Sequence, residues 1–316
     1  MSQRFNARAA AAAGVTVLFW ASAFVSIRDA GQYLDPGPLT LGRMSVATVI
    51  LLAFWALRRE GLPGRRAWPG IVTAGVLWFG VYMVSLNWGE QLVDAGTAAL
   101  VVNIGPILMA LLGGWFLKEG FAPRLFIGMA VSFAGVLVVS LSMSGEGATS
   151  VRGVLLCLVA AITYAIGVVA QKPTLRYASP LQFTTFGCAI AAVLCLPFAP
   201  ALASELGDAP ASASLHVLFL GVFPTAVAFI TWAYALKFTT AGKMGATTYV
   251  VPALVVLMSW VFLDEVPGWL TLAGGVLCLL GVAVSRSRSR SRAAADVGAA
   301  VPREVEPDTS AAPPSR

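Results

Sequence analysis

The stretch AGTAALVVNIGPILMALLGGWFLKEG, Ala95 to Gly120, is met again as AGKMGATTYVVPALVVLMSWVFLDEV, Ala241 to Val266. Ala95, Gly96, Pro106 and Glu119 have identical counterparts 146 positions on, in Ala241, Gly242, Pro252 and Glu265. The same offset pairs Gly128 and Gly135 with Gly274 and Gly281 in the next apolar block. Nearer the start of each half the offset is 144, pairing Trp20 with Tyr164, Arg28 with Lys172 and Pro36 with Pro180. A chain that matches itself at nearly constant spacing over both halves is an internal duplication, and weak repeats of this kind are common in transporter folds.

Each copy is mostly hydrocarbon. Of 316 residues, 58% are hydrophobic and 11% charged, with a mean hydropathy of +0.81, whereas soluble domains are about one quarter charged. Apolar blocks lie near 9–27, 38–57, 69–88, 95–117, 124–142, 152–171, 180–199, 214–235, 242–263 and 268–284. Blocks of roughly 17–25 residues match a bilayer core of about 30 Å at 1.5 Å per residue. The reading is an all-α integral membrane protein, ten transmembrane helices arranged as two five-helix repeats over 1–145 and 146–285, with a disordered Arg/Ser/Pro-rich cytoplasmic tail over 286–316. The first block, after Arg4 and Arg8, looks like a secretory signal, but nine more blocks follow it and it is taken as the first span. No soluble enzyme domain is accommodated by the short connections.

Charge sets the orientation. Arg4, Arg8, Arg58, Arg59, Arg65, Arg66, Lys118, Arg124, Lys172, Arg176, Lys237 and Lys243 fall on one side, with the tail arginines; only Arg28 and Arg152 fall on the other. The second side carries the acids, among them Asp29, Asp35, Glu90, Asp94, Glu205, Asp208, Asp264 and Glu265. Under the positive-inside rule both termini are cytoplasmic, in the plasma membrane. An odd number of spans per repeat inverts the second copy, and Lys118 has accordingly become Asp264. The formal net charge of +6 records topology, so no nucleic-acid partner is expected.

These residues resemble the EamA branch of the drug/metabolite transporter superfamily across roughly 9–285. The resemblance is carried by Trp20-Ala-Ser-Ala-Phe24, by Arg43 and by the paired Pro106…Glu119 and Pro252…Glu265 spacings. It implies ten helices in inverted repeats, a central cavity and alternating-access movement of small metabolites, often outward.

Pro106 and Pro252 sit mid-block and are candidate hinges, or static kinks held by neighbouring helices. Asn103 and Tyr249, three residues earlier, place polar groups at depth, for substrate or for an interhelical hydrogen bond. Arg43 is the most unusual charge, inside an apolar block. It serves substrate or coupling, or it forms a structural ion pair, with Glu90 and Asp94 as reachable acids, or it snorkels. Trp20, Tyr82, Tyr164 and Trp232 join Tyr249 as aromatic cavity candidates; the interfacial aromatic belt is the alternative. Glu119 and Glu265 lie on opposite faces and suit helix-end packing better than proton coupling. His216 and Lys172 are placed at boundaries, where loop or headgroup contacts account for them.

Cys157, Cys188, Cys195 and Cys278 lie singly in apolar blocks, so neither a disulfide framework nor a metal site is expected, and no cofactor. Lacking a Walker A sequence, the chain would draw on a proton gradient, exchange or facilitated diffusion. The expected partners are a small-molecule substrate and the lipid bilayer, with no oligomeric state selected. The competing classes are an intramembrane enzyme, which would need a cluster of acids, histidines or cysteines that a lone His216 does not supply, and a non-transporting scaffold.

Overall fold

Ala, Leu and Val dominate the apolar blocks, and a backbone in hydrocarbon must satisfy its own hydrogen bonds, so the blocks become helices. The computed structural model describes residues 7–93, 100–143, 150–263 and 268–286. Among these there is no strand. The expectations placed on Arg4, Asp94, Ala95, Gly96, Asp264, Glu265 and the tail beyond Arg286 fall outside the described residues.

The helices are α1 (Ala7–Ala30), α2 (Pro36–Leu57), α3 (Arg65–Leu92), α4 (Gly105–Phe116), α5 (Pro123–Met143), α6 (Val151–Thr174), α7 (Pro180–Leu194), α8 (Ala199–Asp208), α9 (Ala211–Leu236), α10 (Ala241–Thr247), α11 (Val250–Leu263) and α12 (Trp269–Arg286). Proline opens α2, α5 and α7, where its missing N–H is no loss. Ser179 and Gln182 close a reciprocal capping box at the start of α7.

Among the described residues, five helices are long and apolar enough to cross a bilayer: α2, α3, α5, α6 and α9. A sixth crossing is counted if α7 and Leu196–Asp208, bent by 53°, form one broken span. The expected block over 180–199 therefore does not stop where its hydropathy falls. It bends at Leu196–Phe198, where Pro197 removes a donor, and continues into α8. Shorter apolar helices cover Ala7–Ala23, Leu100–Phe116 and Trp269–Ser285. Leu57, Trp115, Val193 and Leu215 are exposed, an apolar exterior that suits lipid and would be a liability in water.

Two expected blocks are interrupted. The helix ending at Val102 breaks at Asn103 and Ile104 before α4, and α10 breaks at Thr248 and Tyr249 before α11. Pro106 is thus in the first turn of α4 and Pro252 is the third residue of α11. This corrects their mid-helix placement. At a helix start a proline forfeits no internal hydrogen bond, so the break itself, rather than a kink around the ring, frees the backbone.

Two features recur at the repeat spacing. α3 widens to a π-helix over Gly75–Val81, and α9 does so over Gly221–Val227. π-segments are rare and concentrate at functional sites. α5 and α12 also cross with reciprocal contacts. Ser132 Oγ donates to the Cys278 carbonyl at 3.0 Å, and Cys278 Sγ donates to the Ser132 carbonyl at 3.5 Å, residues 146 apart. Gly128 faces the Gly281 carbonyl while Gly135 faces the Gly274 carbonyl, so close that a Cβ on either would stand 2.5 and 2.7 Å from those oxygens. Small residues here let backbones meet where larger ones could not.

Candidate functional site

The π-segment of α3 turns Trp78 and Phe79 inward, and both are buried. Around Trp78 stand Trp20 from α1, Tyr164 from α6, and Phe229 and Trp232 from α9, at centroid distances of 6.5, 5.5, 5.0 and 6.0 Å. Tyr82 stacks on Tyr164 at 5.4 Å, and Trp20 lies 4.9 Å from Trp232. Four expected aromatics, Trp20, Tyr82, Tyr164 and Trp232, therefore meet in one cluster. Gly167 makes it feasible, because a Cβ there would stand 2.4 Å from the Cβ of Trp78.

Arg43 closes one flank. It is 3% exposed, and its Nε and Nη2 both donate to Thr225 Oγ1, at 3.2 and 3.0 Å. Thr225 donates in turn to the carbonyl of Leu220, 2.8 Å away, five residues back in the widened turn of α9. Tyr82 lies within electrostatic range of the guanidinium, and Glu90 within range of Tyr82. No carboxylate within 4 Å pairs with Arg43 among the described residues. A buried guanidinium that donates to one neutral hydroxyl keeps much of its donor capacity for an anionic group.

Further polar side chains are buried in the bundle. Trp232 Nε1 donates to Gln171 Oε1 at 3.1 Å, and Asn87 Nδ2 donates to Thr40 Oγ1 at 3.0 Å. Asn87 Oδ1, Gln171 Nε2 and Tyr164 Oη are buried without a hydrogen-bond partner of good geometry among the described residues. Buried polar atoms are nearly always paired, so such a group needs an explanation.

The broken helices meet each other. Tyr249 Oη donates to the backbone carbonyl of Asn103 at 2.9 Å across 146 residues. Tyr249, fully buried, packs in the cluster around Ala110, Met129 and Cys278 rather than on Trp78.

A second junction ties the chain between α9 and α10. Glu119 Oε2 accepts from the Ala241 N–H at 2.8 Å, at a helix start where a carboxylate is favoured. Lys172 Nζ donates to the carbonyls of Leu236 and Thr239. Burial raises the proton affinity of Glu119 above the ordinary carboxylate range, opposed by the N–H groups of Ala241 and Gly242 and by Lys172 and Lys243. We expect Glu119→Ala to lower stability by about 1 kcal/mol, the usual worth of a helix cap, read as a drop of a few degrees in thermal unfolding. Glu119→Gln keeps an acceptor and should recover most of it.

A broken-helix bundle with a buried arginine and an aromatic centre can be set beside known proteins. The model of the EamA-like transporter family matches this chain twice, at residues 8–141 and 151–287. The chain belongs to that family. This EamA-type chain is 35% identical to the uncharacterized transporter YdfC of Bacillus subtilis, over 83% of the chain and 86% of YdfC. It is 33% identical to a protein of Streptantibioticus cattleyicolor named "Probable terminal-alkyne amino-acid exporter", over 85% of this chain and 90% of that one. A crystal structure 22% identical to it superposes with a TM-score of 0.73, covering 88% of this chain and 97% of the other, which shows a shared fold. The family and these relatives identify a membrane transporter.

Residue reading missed Trp78, Thr225 and both π-segments. Trp78 was open to discovery, standing four residues before Tyr82 on one helix. Thr225 was not, since nothing local marks a threonine as the partner of an arginine in the other half. Glu90 and Asp94 were the acids expected near Arg43; Glu90 makes no ion pair with it, and Asp94 lies outside the described residues.

Proposed function

We propose that this EamA-type chain is a secondary transporter of small amphipathic metabolites, amino acids among them, exporting them by alternating access across the plasma membrane. The observation that carries the reading is Arg43, buried, held by a single hydroxyl and within electrostatic range of Tyr82, which packs on Tyr164 of the aromatic cluster. A carboxylate suits the guanidinium bidentately, and apolar side chains suit the aromatic walls. Asn87 Oδ1 and Gln171 Nε2 supply unpaired polar atoms for the remainder of the solute. Outward transport of amino acids draws support from the name of the Streptantibioticus relative.

In this reading ten spans form two inverted repeats over 1–145 and 146–285, with both termini cytoplasmic. Support comes from the twofold family match, the π-segments at equivalent positions and the reciprocal pairing of Ser132 with Cys278. Such reciprocity is what a two-fold axis between α5 and α12 produces. Pro106 and Pro252 act in it as hinge candidates at the two helix breaks, beside the Tyr249–Asn103 bond. Coupling to protons or to exchange is part of the same proposal.

The test is counterflow in proteoliposomes loaded in turn with amino acids, nucleosides, sugars and cationic drugs, with and without a proton gradient. Apolar amino acids should exchange and sugars should not. Absence of counterflow for every class contradicts transport.

A further inference from the structure

A separate concavity lies away from the aromatic centre. Leu18 and Phe19 on α1, Leu215 and Phe219 on α9 and Met258 on α11 wall a groove of about 560 Å³. From Leu18 to Ser26 it follows α1 for roughly 12 Å at the helical rise. None of the expected site residues lines it.

One end is polar. Ser26 Oγ and His216 Nδ1 are hydrogen-bonded at 2.9 Å across 190 residues, which pins the imidazole between α1 and α9. His216 Nε2 stands 3.6 Å from Asp29 Oδ2, and the two side chains are 30% and 46% exposed. That separation is too long for a hydrogen bond, so the carboxylate, which stands next to the lining imidazole without itself lining the groove, keeps acceptor capacity.

Ser, His and Asp in one place invite comparison with a hydrolase. The arrangement does not serve that chemistry. The imidazole makes no hydrogen bond to the acid, and Ser26 lies within α1, where backbone N–H groups are taken by the helix and cannot stabilise an oxyanion. What remains is recognition: an apolar trough whose polar end, at His216, adjoins an anionic group. Its volume falls within the range of about 300–1,000 Å³ typical of small-molecule sites.

We propose that this groove is a second binding site, for a single-chain alkylammonium solute whose tail lies along Leu18, Phe219 and Met258 and whose head meets the Asp29 carboxylate. Charge selects the occupant: a fatty acid would place its carboxylate against Asp29, and an alcohol would gain no ion pairing. The site is independent of Arg43 and of any substrate bound there.

Full-length protein in zwitterionic-lipid nanodiscs would be photolabelled with three decyl probes carrying a diazirine at the chain end: an amine, a carboxylic acid and an alcohol. Adducts are mapped by mass spectrometry. The amine should label the peptides holding Leu18, Phe219 and Met258 roughly fivefold more than the acid or the alcohol, the ratio a partly exposed ion pair supplies. Asp29→Asn should bring amine labelling down to that of the alcohol. Leu215→Trp, at a position 64% exposed and so unburdened by core packing, should fill the trough and suppress labelling. Equal labelling by all three probes would identify a seat for lipid chains and overturn the proposal, as would amine labelling indifferent to Asp29→Asn.

Discussion

Replacing Gly135 by valine is expected to abolish the folded protein. A Cβ at this position would stand 2.6 Å from the Cys278 amide nitrogen and 2.7 Å from the Gly274 carbonyl. These are backbone atoms of α12, so relief requires α5 and α12 to separate along their whole crossing. Overpacking of a built core costs about 1–3 kcal/mol where side chains can yield, and here they cannot. Separation would also break the paired bonds between Ser132 and Cys278. The yield of monodisperse protein in detergent should fall more than tenfold. Gly275→Ala is the control: its Cβ would meet nothing nearer than 3.7 Å, and alanine improves helix propensity by about 1 kcal/mol. Normal yield for Gly135→Val would mean that the close crossing is wrong.

Arg43→Gln should cost transport rather than fold. Losing a hydrogen-bonded charge contact to substrate is worth about 1.5–3 kcal/mol, or roughly ten- to a hundredfold in the specificity constant at 1.36 kcal/mol per decade. Arg43→Lys should recover part of the loss, because an ammonium lacks the planar fork. Thr225→Val should weaken transport as well by releasing the guanidinium, and Thr225→Ser should restore it, since the hydroxyl is what Arg43 and the Leu220 carbonyl use. Rates would be compared at equal folded abundance. Unchanged kinetics in both Arg43→Gln and Thr225→Val would remove Arg43 from the transport path.

Hydropathy made most of the long helices legible, because a run of Val, Leu and Ala long enough for hydrocarbon has few other uses. The duplication was legible because Ala, Gly, Pro and Glu persist at one spacing in both copies. The helix breaks were half legible. Pro106 and Pro252 marked the neighbourhood, but a proline reads alike at a kink and in a first turn. The π-segments were invisible: Gly75–Val81 is as apolar as any other turn of α3, and widening depends on how neighbouring helices pack. Contacts between halves were equally hidden, for no local pattern ties Arg43 to Thr225 or Ser26 to His216. Trp20, Tyr82, Tyr164 and Trp232 were individually plausible from residue type; that Trp20, Tyr164 and Trp232 share Trp78 as a neighbour, with Tyr82 on Tyr164, is a property of the packing.

If the two halves must part and rejoin for a solute to cross, fastening them together should stop transport. A Cβ at Gly113 on α4 would stand 3.3 Å from the Cβ of Ala241 on α10 and 2.9 Å from Glu119 Oε2, whose flexible end must shift; the first distance is close to the separation of about 3.5–4.5 Å found in disulfides. The double variant Gly113→Cys/Ala241→Cys would be reconstituted and assayed for amino-acid counterflow when reduced, when oxidised, and after re-reduction, beside both single variants. The expected result is counterflow in the reduced protein, a loss of more than tenfold on oxidation of the double variant alone, and recovery with reductant. Complete cross-linking with undiminished counterflow would rule out alternating access of the two halves.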